Sequence, residues 1–337
     1  MLPSFIFVAA FVMMQSYHFA AHAFSLSPRS LPIPNILSGV FTTKTFTYTH
    51  LECNGQLWQV NCGDTALSVV VDPLASQLDF GIPWGYRANK RSLSEQATID
   101  LICRAKPSHC LLTMGLDDHT HLPTINQLRE RMPELKYIVA PSAEKKLVDS
   151  GVDAAMVTVL KHGQSCDLIR GASVIATPGA LVGPPWQERE NGFLLQLNCN
   201  NQNDDGLSIY YEPHNDVVLN DVQKMNLHAD IVITPVTKQS LPSQAPEFGQ
   251  FTLVYGGERA LEIAEKLKAR IVIPLGNGVL DTEGPLATLV QASGHVQEFE
   301  QLLNERNEKE RSLKRKYAKE VRLERSEPGV PLKVSII

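Results

Sequence analysis

The side chains of this chain that could bind a metal ion lie together in one short loop. Asp118 and His119 follow the apolar run at residues 110–112, which predicts a buried strand that ends at Thr113. A carboxylate beside an imidazole is a ligand pair that zinc and iron accept. Two of the loop residues before this pair are apolar: Met114 offers only a soft thioether and Leu116 offers no donor. The loop therefore predicts part of a metal site rather than a whole one.

Other catalytic patterns lack support in the sequence. There is no G-x-S-x-G nucleophile elbow, no P-loop and no G-x-G-x-x-G. Serine-dependent acyl transfer and nucleotide binding therefore have no motif behind them. The segment 276–278, Gly-Asn-Gly, is too short to cradle a phosphate and predicts a turn.

The elements that must position the loop alternate between strands and helices, which predicts an α/β fold. Apolar runs predict strands at 57–60, 67–71, 110–113, 137–140, 156–160, 173–177, 193–198, 208–211, 231–234 and 271–274. Helical spacing predicts helices at 93–104, 123–131, 142–150, 258–267 and 285–292. Asp72 ends one of these strands, and we interpret it as a carboxylate that orients the loop rather than as a base.

Composition describes an ordinary globular chain. It has 337 residues, 43% of them hydrophobic, and a formal net charge of -5, so it lacks the basic surface on which a nucleic-acid protein depends. Six cysteines are scattered without a C-x-x-C pair, which favours buried free thiols over a zinc knuckle or a disulfide framework.

The two ends of the chain differ from its middle. Residues 1–23 predict a cleavable signal peptide, since the apolar run is shorter than the roughly 20 residues of a membrane helix. Residues 24–42 are rich in serine and free of acidic residues, like a transit peptide. Together they predict import into a plastid through a two-part presequence, with secretion as the alternative. We expect no transmembrane helix in the mature chain.

The middle segment, residues 43–297, is predicted to be the globular domain, and residues 298–337 a charged extension. The run 298–327 mixes acidic and basic residues and predicts a solvated helix, with a partner-binding helix as the alternative. Residues 328–337 are predicted to be an irregular tail.

The order of these features resembles the metallo-β-lactamase superfamily over residues 43–296. Four anchors carry the resemblance: Val71-Asp72-Pro73, residues 113–119, Thr177-Pro178-Gly179 and Ile273-Pro274-Leu275. Within this superfamily, the sequence is most similar to the lactonase-like and phospholipase-D-like branch, and to plant, algal and cyanobacterial members. The resemblance implies a four-layer αββα sandwich, with two mixed β-sheets flanked by helices. It also implies metal-dependent hydrolysis at a site of two ions bridged by hydroxide.

Carried over position by position, the family's ligand set is incomplete here. The first metal would need imidazoles at Met114, Leu116 and Ala180, and a late ligand of the second metal falls at Gly276. None of these four side chains can bind a divalent cation. The residual set implied by the resemblance is Asp118, His119, Glu212 and His214, with the register at the last two unfixed, and Asp118 is the tentative catalytic residue.

Two functions of different class follow. The first is a degenerate member that lacks the two-metal site, needs no cofactor, and binds a small-molecule ligand or a protein partner without hydrolysing it. The second is a divergent hydrolase of an ester, lactone or phosphodiester that uses one zinc, iron or manganese ion at Asp118, His119 and Glu212 or His214. Sequence alone leaves open whether the chain is an enzyme.

Overall fold

The structure is a computed structural model that describes residues 44–182, 186–198, 206–241, 251–312 and 320–336. The predicted presequence at residues 1–42 lies outside the described residues.

The first large sheet contains seven strands in the order β19-β1-β2-β3-β5-β6-β7. They are β1 Thr45–His50, β2 Gln56–Cys62, β3 Thr65–Val71, β5 His109–Leu112, β6 Lys136–Val139, β7 Val157–Val159 and β19 Leu332–Ser335. The strands from β19 to β3 pair antiparallel, whereas β3, β5, β6 and β7 pair parallel. The strands predicted at 57–60 and 67–71 are β2 and β3, which form a meander with β1 that leads into a parallel half.

The second large sheet also contains seven strands, in the order β18-β15-β12-β11-β10-β9-β8. They are β8 Ser165–Ile169, β9 Ala172–Pro178, β10 Asn191–Leu197, β11 Leu207–Tyr211, β12 Ile231–Pro235, β15 Ile271–Leu275 and β18 Arg322–Leu323. Strands β8 to β11 pair antiparallel, and β11, β12, β15 and β18 pair parallel. Both sheets are therefore mixed, as the sequence predicted.

In the described ranges, six helices cover the outer faces of the two sheets. They are α1 Glu95–Ala105, α2 Leu122–Arg131, α3 Pro141–Asp149, α4 Leu219–Lys224, α5 Gly257–Lys266 and α6 Val296–Ser312. The first three pack on the first sheet through residues such as Ile102, Leu128 and Leu147. The last three pack on the second sheet, where Ile263 and Phe299 are buried. The order of layers is therefore helix, sheet, sheet, helix, which is the predicted αββα sandwich.

The core between the sheets is built from alternate residues of their strands. Phe46 and Trp58 face inward from the first sheet and Tyr211 from the second, and all three are fully buried. The Trp58 and Tyr211 rings meet edge to face with centroids 6.2 Å apart. Because strand side chains alternate between faces, the opposite residues of the same strands are free to pack on the helices.

Two small sheets lie beyond the large ones. One has the order β14-β13-β17 and the other pairs β16 with β4. Their strands are β4 Arg87–Asn89, β13 Lys238–Leu241, β14 Phe251–Val254, β16 Asp281–Glu283 and β17 Gln291–Ser293. The helix predicted at 285–292 is wrong: a 3-10 turn at Ala287–Leu289 precedes β17. The apolar side chains of this segment are half-buried or exposed and do not pack as a helical stripe, and residues 291–293 pair with β13 instead.

The C-terminal segment completes both large sheets. Helix α6 buries Phe299 and Leu303, and the Asn307 side chain bonds both backbone groups of Val321. The irregular tail predicted for residues 328–337 is wrong, because β19 pairs with β1 in that segment and buries Val334. This strand pairs with one far away along the sequence, so no local pattern reveals it.

Two further observations bear on the predictions from composition. Cys53, Cys103, Cys110 and Cys166 are free thiols, but Cys62 is disulfide-bonded, so the prediction of free thiols is wrong there. Spacing along the chain does not report which cysteines meet in space.

No helix in the described ranges is long and apolar enough to cross a bilayer.

Candidate functional site

The candidate site lies where the carboxyl ends of strands from both sheets meet. Asp72 follows β3, the loop 113–119 follows β5, and Glu212 follows β11. The turn between β1 and β2 adds Asn54, which is 3% exposed. That turn is closed by backbone hydrogen bonds from Leu51 N–H to the Gly55 carbonyl and from Gly55 N–H to the Glu52 carbonyl, and Cys53 within it has a left-handed φ of 52°. Irregular loops from four elements therefore converge on one region held by rigid strands.

Asp72 is the hydrogen-bonding centre of this region. Its Oδ1 accepts the backbone N–H of Thr113 at 2.8 Å, and its Oδ2 accepts the Thr113 hydroxyl at 2.6 Å. Oδ2 also accepts Nδ1–H of His119 at 2.8 Å and the hydroxyl of Tyr211 at 3.1 Å. Because the carboxylate is fully buried, these four donors replace its hydration. Asp72 thus holds the loop and the His119 ring in place, as its position in the sequence indicated.

The other nitrogen of the His119 ring meets Asn54 rather than open space. Nε2 lies 3.0 Å from Nδ2 of Asn54 and 3.3 Å from Oδ2 of Asp118. The same amide nitrogen is 3.2 Å from Oδ2 of Asp118 and 3.3 Å from the Asp118 carbonyl oxygen. The Asn54 amide therefore lies between the two predicted ligands and is within hydrogen-bonding distance of both.

The charges of this group are strongly coupled. Burial by itself lowers the pKa of His119, but the carboxylates of Asp118 and Asp72 outweigh it and raise the pKa to about 10. Burial raises the pKa of Asp118, yet the imidazoles of His119 and His214 bring it down to about 2. A neutral His119 ring accepts from the Asn54 amide at its Nε2 lone pair, whereas a protonated ring donates its Nε2–H to Oδ2 of Asp118, 3.3 Å away. In both states Nε2 is engaged.

Glu212 and His214 lie on the other side of His119. Oε2 of Glu212 accepts the backbone N–H groups of His214 and Asp216, both at 3.1 Å. Oε1 of Glu212 and Nδ1 of His214 are 3.8 Å apart, and neither has a hydrogen-bond partner. The His214 and His119 ring centroids are 5.3 Å apart. The structure thus brings all four residual residues together.

Proximity alone does not arrange these side chains as a metal site. In the part of the chain that the structure describes, no group of three or more His, Cys, Asp or Glu side chains is placed so that it could hold a metal ion. The four positions that lack ligands are filled or closed. Met114 and Ala180 are buried, and Leu116 is half-buried in the loop. The residues present therefore do not fit the family's two-metal centre.

Gly276 shows how the late ligand position is closed. A Cβ atom at this position would lie 3.2 Å from Cε1 of His50. His50 comes from β1, is 4% exposed, and places its Nε2 3.2 Å from the carbonyl oxygen of Cys53. An imidazole from a different strand therefore occupies the space into which a side chain at 276 would extend.

Four other residues near the candidate site have structural roles or lie on its rim. His121 bonds Thr124 at the start of α2, and burial lowers its pKa. Tyr86 packs against the buried cluster that contains Cys53, and burial, with the nearby charge of Asp118, raises its pKa to about 12. Trp84 and Trp186 are 76% and 81% exposed, so they do not line it as packed walls.

Asn54 and Asn277 were missed by reasoning from the sequence. The dipeptide Asn54-Gly55 is typical of a tight turn, and the turn accounts for it fully. Asn277 also lies in a predicted turn, where its Nδ2 donates to the Pro213 carbonyl at 3.2 Å. Neither residue carried a signal that distinguishes a site residue from a turn residue.

Comparisons with known proteins agree with the fold described above. A family model described as a beta-lactamase superfamily domain matches residues 49–276. No curated protein matches the chain significantly.

Among solved structures, one similar chain is Igni18, a metallo hydrolase from Ignicoccus hospitalis. It is 14% identical, with a TM-score of 0.53, and the match covers 87% of this chain and all of that one. The metallo-beta-lactamase fold protein YhfI from Bacillus subtilis is 10% identical, with a TM-score of 0.49, and the match covers 86% of this chain and all of that one. At these identities the first likeness shows a shared fold and nothing about substrate.

Proposed function

Because this chain belongs to the beta-lactamase superfamily, we propose that it is a degenerate member that binds a small polar ligand and does not carry out two-metal hydrolysis. The observation that carries the proposal is the position of Asn54, whose amide nitrogen lies 3.0 Å from Nε2 of His119 and 3.2 Å from Oδ2 of Asp118. A hydrogen-bond donor from the protein itself stands between the two residues that would otherwise bind a cation.

Three further positions support the same conclusion. Met114 and Ala180 present no donor for a hard or borderline cation, and Gly276 faces the ring of His50. A reversion at any one position leaves the other positions closed. The loss is thus distributed over the site, and what persists is the hydrogen-bonded scaffold of Asp72, Thr113 and His119, which keeps the loops in place for recognition.

Metal analysis of the purified protein tests the proposal. After expression with added zinc, iron or manganese, we expect less than about a tenth of an equivalent of any of them, because a catalytic zinc site commonly needs three protein ligands. Stoichiometric metal that is lost in Asp118→Ala or His119→Ala would contradict the proposal. Asp117→Ala is the matched control, since Asp117 lies in the same loop but pairs with Lys146.

A hydrolase that uses a single ion at Asp118, His119, Glu212 and His214 is the second candidate. It is favoured by the unpartnered Oε1 of Glu212 and Nδ1 of His214, which face each other across 3.8 Å. This candidate requires the Asn54 amide to move away from His119. Hydrolysis of ester, lactone or phosphodiester substrates that depends on added metal and is abolished by Asp118→Ala would establish it. The charged helix α6 gives a third and weaker candidate, a partner-binding surface.

We also propose that the chain enters a plastid through the two-part presequence at residues 1–42, with secretion as the alternative. The disulfide at Cys62 fits a route through an oxidising compartment. A fluorescent fusion of residues 1–50 tests this: plastid fluorescence supports the proposal, and fluorescence in the secretory system or medium contradicts it.

A further inference from the structure

Buried polar atoms without partners concentrate at the candidate site. In the described part of the chain, ten buried side-chain nitrogen or oxygen atoms lack a hydrogen-bond partner, and five of the ten belong to this one region. The five are Asn54 Oδ1, Asp118 Oδ1, Glu212 Oε1, His214 Nδ1 and Asn277 Oδ1. Leaving such an atom unpaired costs about 1–3 kcal/mol, so polar atoms of native proteins rarely stay unpaired. Their clustering indicates a place where a bound group supplies the missing partners.

The chemistry of the five atoms narrows what that group can be. Four of them are oxygens that can only accept a hydrogen bond. The amide nitrogens of Asn54 and Asn277 are already used, on Asp118 and on the Pro213 carbonyl, so both amides present oxygen to the site. A ligand that fits must therefore donate several hydrogen bonds.

The carboxyl groups favour a ligand with positive charge, because Asp72, Asp118 and Glu212 outnumber the imidazoles of His119 and His214 beside them. Glu212 and Asp118 are alike in that each has one oxygen held by N–H groups of the protein and one oxygen free. Among the described residues, the ion pairs of both carboxyl groups are to imidazoles, those of His214 and His119, and neither pairs with a lysine or an arginine. Glu212 is fully buried, and its free oxygen is therefore held in one direction before any ligand arrives.

We propose that this site recognises a small organic cation with a primary ammonium group, with Glu212 and Asp118 as its acceptors. An ammonium carries three N–H donors and a full charge, which matches an acceptor-rich site that has two carboxyl groups. The side chains of Asp118 and His214 are 21% and 12% exposed and so reach the solvent, whereas the unpartnered atoms themselves are shielded from it. The inference rests on the proposed function, since a resident metal ion would use the same atoms.

Calorimetry in metal-free buffer tests the proposal with putrescine as the probe. Two matched compounds separate the contributions: 1,4-butanediol has the same chain without charge, and tetramethylammonium has the charge without N–H donors. We expect saturable binding of putrescine, and at least about tenfold weaker binding of both matched compounds, because charge-assisted hydrogen bonds are the strong ones. Equal binding of the diol, or no saturable binding of putrescine, overturns the proposal.

Variants locate the binding. Glu212→Gln keeps the shape of the side chain and removes its charge, and we expect it to weaken putrescine binding about tenfold or more. Asp118→Asn, in a more exposed position, provides a second variant whose folding is less at risk. Asp117→Asn in the same loop is the control and should bind like the parent protein. Parent-like affinity in both Glu212→Gln and Asp118→Asn, with unchanged thermal unfolding, overturns the proposal.

The two proposals fail in different ways. Stoichiometric metal in the parent protein contradicts the proposed function, whether or not putrescine binds. If the protein is metal-free and does not bind putrescine, only the proposed ligand class is wrong.

Discussion

Oδ2 of Asp72 and Nδ1 of His119 are 2.8 Å apart, and both side chains are fully shielded from solvent. This bond joins the end of β3 to the loop after β5, and its partners Thr113 and Tyr211 extend it to both large sheets. The first sheet, the second sheet and the candidate site therefore share one buried carboxylate. Removing it affects folding stability as well as the site.

We expect Asp72→Ala to lower the free energy of unfolding by about 3 kcal/mol or more, because it leaves four donors buried without an acceptor. Asp72→Asn should cost less, since an amide oxygen still accepts. Asp100→Asn is the control: its ion pair with Arg131 is solvent-exposed, and its loss should cost less than about 1 kcal/mol. Denaturant unfolding measures all three, and a parent-like Asp72→Ala would contradict the role assigned to Asp72.

The closed position at Gly276 gives a prediction about restoring the family's ligand. Because a Cβ there would lie 3.2 Å from the buried ring of His50, we expect Gly276→His to destabilise the protein by about 1–3 kcal/mol through overpacking and to bind no metal. Adding His50→Ala should recover part of this loss. The double-mutant cycle should then show a coupling above about 0.5 kcal/mol.

The control substitution for this double-mutant cycle is Gly278→His. A Cβ at Gly278 meets only the flexible end of the Gln239 side chain, so this substitution should not couple to His50. Equal coupling of His50 to both glycine positions would show that the steric argument is wrong.

Whether the role of a residue could be predicted depends on whether it interacts with its neighbours in the sequence or with distant parts of the fold. The four residual residues Asp118, His119, Glu212 and His214 could be placed together from the sequence because the family resemblance implied them as one ligand set. Asn54 could not, because an Asn-Gly turn explains it without any site. The contact of His50 with Gly276 joins β1 to β15, and no periodicity records a contact between strands of different sheets.

The same limit applies to the ends of the sheets. Strand β19 is only four residues long, and β18 only two, so neither shows a measurable alternation. Their conformation is set by the edge strands that they pair with, β1 and β15, which lie far away in the sequence. The α/β alternation, by contrast, follows from apolar runs that alternate with helices, and the αββα layers that the family resemblance implied are confirmed.

Glu190 predicts a pH dependence of stability. Burial raises the pKa of this carboxyl group from 4.5 to about 7, although the Ser142 hydroxyl, which donates to it at 2.5 Å, opposes the rise. The folded state therefore binds the proton more tightly than the unfolded state. The stabilisation is fully present below pH 4.5 and is lost as the pH rises from 4.5 through about 7.

Glu190→Gln should remove this dependence. We expect the parent protein to lose about 2–3 kcal/mol relative to Glu190→Gln between pH 4.5 and pH 7.5, measured as the difference in unfolding free energy. Glu144→Gln, an exposed position on α3, should follow the parent protein at every pH. A constant difference between the parent and Glu190→Gln across this range would contradict the pKa of Glu190.

The C-terminal strand predicts that two valines in one short segment respond very differently to substitution. Val334 on β19 is 1% exposed and packs in the core between the sheets, whereas Val330 is 51% exposed just before the strand. Placing a charge at Val334 removes apolar burial and also loosens the strand that covers the edge of β1.

We therefore expect Val334→Asp to lower the free energy of unfolding by about 3 kcal/mol or more and to promote aggregation, because an uncovered edge strand can pair with another chain. Val330→Asp should change the free energy of unfolding by less than about 0.5 kcal/mol. Denaturant unfolding and size-exclusion chromatography measure the two effects, and equal behaviour of the two variants would show that the segment does not form the edge of the sheet.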